Sequence, residues 1–303
     1  MGIKVGVVGV GYLGQHHARI YSEIEEADLI AVADINRSRA DAIAQSCQCL
    51  ALHDYRGMLD AVDALSIVTP TTSHYPIALD CLKAGKDILI EKPITVTVEE
   101  ADHLVQVAEQ TGSIIQVGHL ERYNPAVLAA SDLFKAPVFI ESERLSPFLG
   151  RGTDVDVTLD LMIHDIDIIL SLLGAPVREI RAVGAKVLSE KLDVAKAWLE
   201  FENGCTALAT VSRLSPEKQR RLKVSQEDAY IIIDYQNTEI KRYYKNEKGI
   251  TVDIIRPEKK EPLKEELKDF IRCVRERKKP KVSAAEGRNA LKVVMEITGK
   301  IKD

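Results

Sequence analysis

From the start of the chain to about residue 120, short runs of Val, Ile and Leu alternate with longer stretches whose apolar residues recur at helical spacing. That rhythm predicts βαβ units and a parallel sheet. Strands are expected at Ile3 to Val8, Leu29 to Ala33, Ala64 to Val68, Asp87 to Ile90 and Ile114 to Val117. Helices are expected between them, at Leu13 to Ile24, Arg37 to Ser46, Tyr75 to Ala84 and Glu99 to Gln110. The strands are apolar almost throughout, which suits a sheet covered on both faces.

Beyond residue 120 the texture changes. A helical stretch at Leu159 to Leu173 is followed by alternating runs at Ala195 to Phe201, Thr206 to Ser212, Leu222 to Val224, Tyr230 to Tyr235 and Glu239 to Tyr244. These predict a large, mostly antiparallel sheet with one face against helices. Two tail helices, Leu263 to Lys278 and Ala284 to Ile301, flank a basic break at Lys278-Lys279-Pro280-Lys281. The expected fold is α/β: residues 1–120 a doubly wound parallel sheet, residues 121–303 a second α/β domain.

Charge and length narrow the function. A chain of 303 residues fits two domains. Its net charge of −5 gives no global attraction for nucleic acid. No apolar run approaches the roughly 18 residues of a membrane span, since even Ile163 to Val177 carries Asp165 and Asp167. Glycines interrupt the apolar N-terminus and no small-residue cleavage site follows, so no signal peptide is expected. Five cysteines without paired or zinc spacing point to reduced thiols and a cytoplasmic location, with no metal site expected.

Gly9-Val10-Gly11-Tyr12-Leu13-Gly14 is a GxGxxG turn between the first strand and the first helix. Glycines there permit a tight turn, backbone approach to a pyrophosphate and close helix packing, with the helix N-terminus facing the phosphates. Asp34 stands 20 residues after Gly14, where an acid can accept both ribose hydroxyls and repel a 2′-phosphate. This pattern predicts a Rossmann domain binding NAD. Arg37 and Arg39 follow closely and keep NADP open.

Two further segments follow predicted strands of the parallel sheet, Thr69-Pro70-Thr71-Thr72-Ser73-His74 and Glu91-Lys92-Pro93. Strand carboxyl ends line the ligand crevice of such sheets, so Thr69, Pro70, His74, Glu91 and Lys92 are expected toward the nicotinamide end. Lys92 is either a group that activates a substrate hydroxyl or an ordinary cap or surface lysine. Later, Asp160, His164 and Asp167 share one face of an apolar helix. A His with a carboxylate one turn away suits a general base, and a hydrogen-bonded buried polar set is the other reading.

His16 and His17 are adjacent on a helix and cannot face one metal; packing or a solvated face is expected. His119-Leu120-Glu121-Arg122-Tyr123-Asn124-Pro125 lies at the domain boundary, where Arg122 and Tyr123 can meet a substrate or simply form a connecting loop. Arg213, Lys218, Arg220, Arg221 and Lys223 form the most basic stretch, which suits either a diphosphate or a solvated strand.

Together, GVGYLG, TPTTSH, AGKDILIEKPI and DLMIHDID resemble the glucose-fructose oxidoreductase / inositol dehydrogenase (Gfo/Idh/MocA) family over most of the chain. The resemblance implies a sugar or polyol dehydrogenase with an N-terminal Rossmann domain. It also implies homodimers or homotetramers formed through the open C-terminal sheet. Within the family it implies that Lys92, Asp160 and His164 carry catalysis, with His164 accepting the proton. Many members have Gly where this chain has Met162, a difference that bears on pocket shape. GHLERYNPA and SRLSPEKQRR are most similar to the branch that oxidises nucleotide sugars. That branch implies oxidation at the 3-hydroxyl of UDP-N-acetylglucosamine, and the residues themselves agree in that Arg122, Arg213 and Lys218 are cations able to neutralise a diphosphate. A dehydrogenase of myo-inositol or another free polyol, and a non-catalytic NAD-binding sensor, are the alternatives.

Overall fold

The computed structural model of the chain describes residues 2–150 and 153–301. It divides into two units, residues 1–120 with 261–288 and residues 121–260 with 289–303.

In the first unit, β1 (Ile3–Val8), α1 (Gly14–Glu23), β2 (Ala27–Ala33), α2 (Arg37–Cys47), β3 (Leu50–Leu52), β4 (Ala64–Ile67), α3 (His74–Lys83), β5 (Asp87–Glu91), α4 (Val98–Thr111) and β6 (Ile115–Gly118) alternate along the chain. The strands form one six-stranded parallel sheet in the order β3-β2-β1-β4-β5-β6. Strands β4 and β5 are buried at every residue, in keeping with their mainly apolar sequence; Ser66, Asp87 and Glu91 are the buried polar positions. Capping fixes the helix limits. The Asn36 side chain accepts from the Arg39 N–H, and Thr97 and Glu100 form a reciprocal capping box at the start of α4. Strand order reverses between β1 and β4, which places the ligand crevice of such a sheet at their carboxyl ends. The sequence does not announce β3, a three-residue edge strand with no alternation to read.

The second unit contains α5 (Pro125–Ala130), β7 (Pro137–Leu145), a π-helical turn at Thr158–Met162 that runs into α6 (Ile163–Leu173), and then β8 (Val177–Ala185), β9 (Val194–Phe201), β10 (Thr206–Ser212), β11 (Gln219–Gln226), β12 (Ala229–Asp234), β13 (Glu239–Asn246) and β14 (Gly249–Ile255). The eight strands are ordered β14-β13-β12-β11-β7-β10-β9-β8. Only β7 and β10 pair in parallel. Strict alternation buries Ala207, Ala209 and Val211 of β10, Leu222 and Val224 of β11 and Ile231 and Ile233 of β12 in the core shared with Ile163, Ile166 and Ile169 of α6. Three strands escape the sequence pattern. In β7 the buried positions after Ile140 are Ser142 and Arg144, so burial does not coincide with hydrophobicity. The edge strand β8 is interrupted by charge, and the edge strand β14 exposes Ile250, Val252 and Ile254.

The tail corrects the expected division at residue 120. Helix α7 (Pro262–Glu276) belongs to the first unit, where Leu263, Leu267, Phe270, Ile271 and Val274 pack with Val5, Val7, Ile20 and Tyr21. Its apolar stripe is plain in the sequence, but a stripe carries no record of which core will bury it. After it, the Val117 N–H donates to the Val282 carbonyl (2.9 Å). The unit division falls within α8 (Ala284–Lys300).

Candidate active site

The glycine turn after β1 is packed beyond the tolerance of any side chain at two positions. Gly9 has φ +84°, and a Cβ there would lie 2.6 Å from the Val68 carbonyl oxygen; at Gly14 a Cβ would lie 1.9 Å from the Gly9 carbonyl oxygen. At Gly11 the nearest atom to an added Cβ is an Arg39 nitrogen at 3.8 Å. The turn therefore tolerates a Cβ at Gly11 but not at Gly9 or Gly14. Leu13 is the N-cap of α1 without a side-chain cap, Tyr12 is 78% exposed, and the first N–H groups of the helix face the turn.

Asp34, just past β2, is buried and oriented from both sides. Its Oδ2 accepts from the Val10 N–H at 2.9 Å and its Oδ1 from the Asn36 N–H at 2.8 Å. Each oxygen retains acceptor capacity for a ribose hydroxyl. The guanidinium near Asp34 is Arg39 (3.4 Å); Arg37 is exposed at the start of α2. These residues fit NAD: an open glycine turn at a helix N-terminus for the pyrophosphate, and an oriented acid for the ribose. Thr69 turns its Cγ2 methyl toward Gly9, and its Oγ1 is buried without a partner among the described residues.

At the ends of β4 and β5 the structure separates supports from exposed groups. His74, expected against the cofactor, is 1% exposed and bridges the two loops instead, with Nδ1 2.9 Å from the Pro93 carbonyl oxygen and Nε2 2.9 Å from that of Thr69. Burial lowers its pKa, partly offset by these carbonyls. Glu91, also expected at the cofactor, turns inward to His17 of α1 (3.2 Å). A buried imidazole prefers a hydrogen-bonded partner to a dinucleotide it cannot reach. Lys92, half-buried, and Pro70, exposed, are the accessible members of the set.

In the second unit the acidic stretch opening α6 divides. Asp165 is buried and receives both Nε and Nη2 of Arg144 at 2.8 and 2.9 Å. Asp167, expected to share a face with His164, is buried against Arg122 at 3.4 Å. Asp160 and His164 remain partly exposed. Asp160 lies in the π-helical turn, so the expected continuous α-helix is corrected there; such turns recur where function demands a side chain be re-aimed.

Three expected substrate ligands have other tasks. Arg213 is 6% exposed; its Nη2 donates to the carbonyls of Val155 (2.7 Å) and Leu192 (3.0 Å), and its Nε lies 3.5 Å from Asp193. It ties two connections together and does not face a diphosphate. Burial would raise Asp193, but the N–H groups of Leu188, Val187 and Ser189 hold it down at about 2. Tyr123 is buried and Arg122 is held by Asp167. Lys218 is exposed between β10 and β11. The sequence reading passed over Arg144, Glu121 and Tyr235. Arg144 Nη1 donates to Glu121 (2.9 Å), and its guanidinium lies 5.8 Å from the Tyr235 ring centre. Burial would lower Arg144, but Asp165 and Glu121 raise it well above its ordinary value. The available signal was the alternation Ile140, Ser142, Arg144, which sets an arginine on the buried face.

Residues 3–119 match the oxidoreductase family with an NAD-binding Rossmann fold, and residues 138–232 match the GFO/IDH/MocA C-terminal domain. The chain is 35% identical to the UDP-N-acetylglucosamine 3-dehydrogenase of Acidithiobacillus ferrooxidans, over 97% of this chain and 96% of that one. A solved structure of that enzyme superposes with a TM-score of 0.96 at 34% identity, covering 99% of this chain and 98% of the other. The scyllo-inositol 2-dehydrogenase (NAD(+)) of Bacillus subtilis is 28% identical over 99% of this chain and 94% of that one. A scyllo-inositol dehydrogenase from Lactobacillus casei, solved with NAD(H) and scyllo-inositol, shares the fold at a TM-score of 0.86 and 22% identity, covering 99% of this chain and 97% of the other. With its glycine turn, the acid oriented beside it, parallel sheet and large second sheet, the chain belongs to the GFO/IDH/MocA family of NAD-binding oxidoreductases.

Proposed function

We propose that this protein oxidises the 3-hydroxyl of UDP-N-acetylglucosamine. The observation that carries the reading is the match along nearly the whole chain to an enzyme of that name, in a sequence that has the EKP and DxxxHDxD motifs. His164 takes the hydroxyl proton, and Asp160, one turn before it, orients the imidazole and stabilises its cationic form. Lys92 orients the same hydroxyl. The chemistry supplied by bound NAD is acceptance of the hydride from the carbinol carbon. The protein's contribution is position and proton traffic.

Free polyol oxidation is the second reading. It is favoured by the inositol dehydrogenase relative and by the burial of Arg213, which withdraws one cation from diphosphate recognition. Absorbance of reduced nicotinamide decides, using purified protein, NAD and UDP-N-acetylglucosamine, UDP-glucose, myo-inositol or glucose, with a trap for the keto product. Reduction with the UDP-amino sugar alone is expected; reduction with inositol or glucose alone overturns the nucleotide-sugar reading. Lys92→Ala should lower turnover by at least about a hundredfold.

The assembly reading is a homodimer or homotetramer. It is supported by the face of the second unit's sheet opposite α6, where Val183, Trp198, Ile250, Val252 and Ile254 are exposed. No helix among the described residues is long and apolar enough to cross a membrane. All five cysteines are unpaired thiols, which supports a reducing, cytoplasmic setting.

A further inference from the structure

Of the three cations carried by β11, period-two alternation sets one apart. Arg220 shares the parity of Leu222 and Val224 and so lies on the α6-facing side of β11, whereas Arg221 and Lys223 point to the opposite face, paired with Asp234 (3.3 Å) and Glu143 (3.0 Å). Arg220 stands directly across from Arg144 in the antiparallel β11–β7 ladder. Two arginines opposite one another repel. The pair is tolerated because Arg144 is held by Asp165 on one side, and Glu121 Oε1 accepts from both Arg144 (2.9 Å) and Arg220 (3.4 Å).

The two arginines differ in what they have left to give. Arg144 is fully buried, with Nε, Nη1 and Nη2 all engaged by carboxylates. Arg220 keeps 35% of its side chain exposed, its ion pair among the described residues is the long contact to Glu121, and it feels the charge of Asp160. Burial and then the charge of Arg144 lower its pKa, so an arriving anion relieves a strained cation. We propose that Arg220 is the specificity-determining residue of the second unit, the guanidinium that receives the diphosphate of a nucleotide-sugar substrate. This rests on the dehydrogenase reading above. It also fits the substrate's chemistry: the diphosphate leaves the ring two carbons from the 3-hydroxyl, so the cation that receives it should lie in the same unit and on the same side of the sheet as Asp160, whose charge Arg220 feels. A planar guanidinium presents a two-donor fork to phosphate oxygens.

The test pairs calorimetric titration of the whole protein with UDP and steady-state kinetics with UDP-N-acetylglucosamine. Arg220→Ala should weaken UDP binding about tenfold to a hundredfold and raise KM by a similar factor, more than it lowers kcat. Arg220→Lys should recover part of both, and Arg221→Ala should change neither. If the Ala variant melts early, Arg220→Gln, which keeps a donor toward Glu121, carries the same comparison. The proposal is overturned by unchanged UDP affinity, by a fall in kcat at unchanged KM, by inorganic phosphate binding as tightly as UDP, or by a parent protein that ignores UDP. A parent that binds UDP through Arg220 yet reduces NAD with no sugar refutes the dehydrogenase reading alone.

Discussion

The glycine turn of the first unit and the charged end of the second unit's sheet are both candidate ligand sites, but they are made of different material. The turn is backbone: Gly9, Gly11 and Gly14 matter for atoms they lack, and six consecutive residues contain it. The charged end is side chain: Glu121, Arg144, Asp165, Arg220 and Tyr235 come from distant parts of the chain and are held by mutual neutralisation. A backbone site fails when an atom is added, whereas a neutralised side-chain site fails when one is removed.

The largest effect should come from the second kind of failure. Arg144→Ala leaves Asp165 and Glu121 buried without their main cation and should cost about 3–5 kcal/mol, read from the midpoint of urea unfolding. Arg144→Met combined with Asp165→Leu should recover much of that loss, because the buried charges leave together. A single variant as stable as the double one would show that the network is solvated in solution.

Within the turn, position decides the outcome. Gly14→Ala forces a Cβ onto a backbone carbonyl 1.9 Å away and should destabilise by about 1–3 kcal/mol. Gly11→Ala meets only an Arg39 nitrogen at an ordinary contact distance of 3.8 Å and should remain within about 0.5 kcal/mol of the parent. It should nevertheless weaken NAD about tenfold or more by holding the pyrophosphate away from the amides, read by fluorescence titration with NADH. Equal melting temperatures for the two variants would dissolve the distinction between the packing glycines and the ligand-facing one.

The smallest effect is one of pH. His74 is buried with its pKa below the ordinary 6.5, so between that value and its lowered one the unfolded chain binds more protons than the folded chain. Stability should therefore fall as pH drops below about 6.5, and His74→Gln should flatten that limb of the curve. An unchanged slope in the variant would show that another group sets the acid limit.

Most of the first unit was legible because its signals are local. Strands such as Ala64–Ile67 are apolar because helices cover both faces, and GxGxxG with Asp34 encodes a turn and an acid at fixed separation. The second unit was read well where hydrophobicity tracks burial, as in β10 and β12. It was missed at β7, where Ser142 and Arg144 occupy buried positions. The candidate site divided the same way: Gly9 and Gly14 form a turn too tight for side chains and Asp34 is oriented beside it, while His74, Glu91, Tyr123, Asp167 and Arg213 are held by interior partners. A polar residue in a motif looks the same whether it faces a ligand or a buried partner.

By itself the sequence determined most of the alternation of strands and helices, the glycine turn and the family. The strands, helices and turn each depend on residues close together along the chain, whose geometry the backbone fixes directly, and the family on motifs legible one at a time. Only the tertiary structure decided that α7 closes the first unit's core and that Arg122 belongs to Asp167. It alone decided that Arg213 holds two connections while Arg220 keeps donors to offer. Those outcomes turn on which groups are brought together from separate elements of the chain, and burial allows a charge to persist only beside a partner that local sequence does not name.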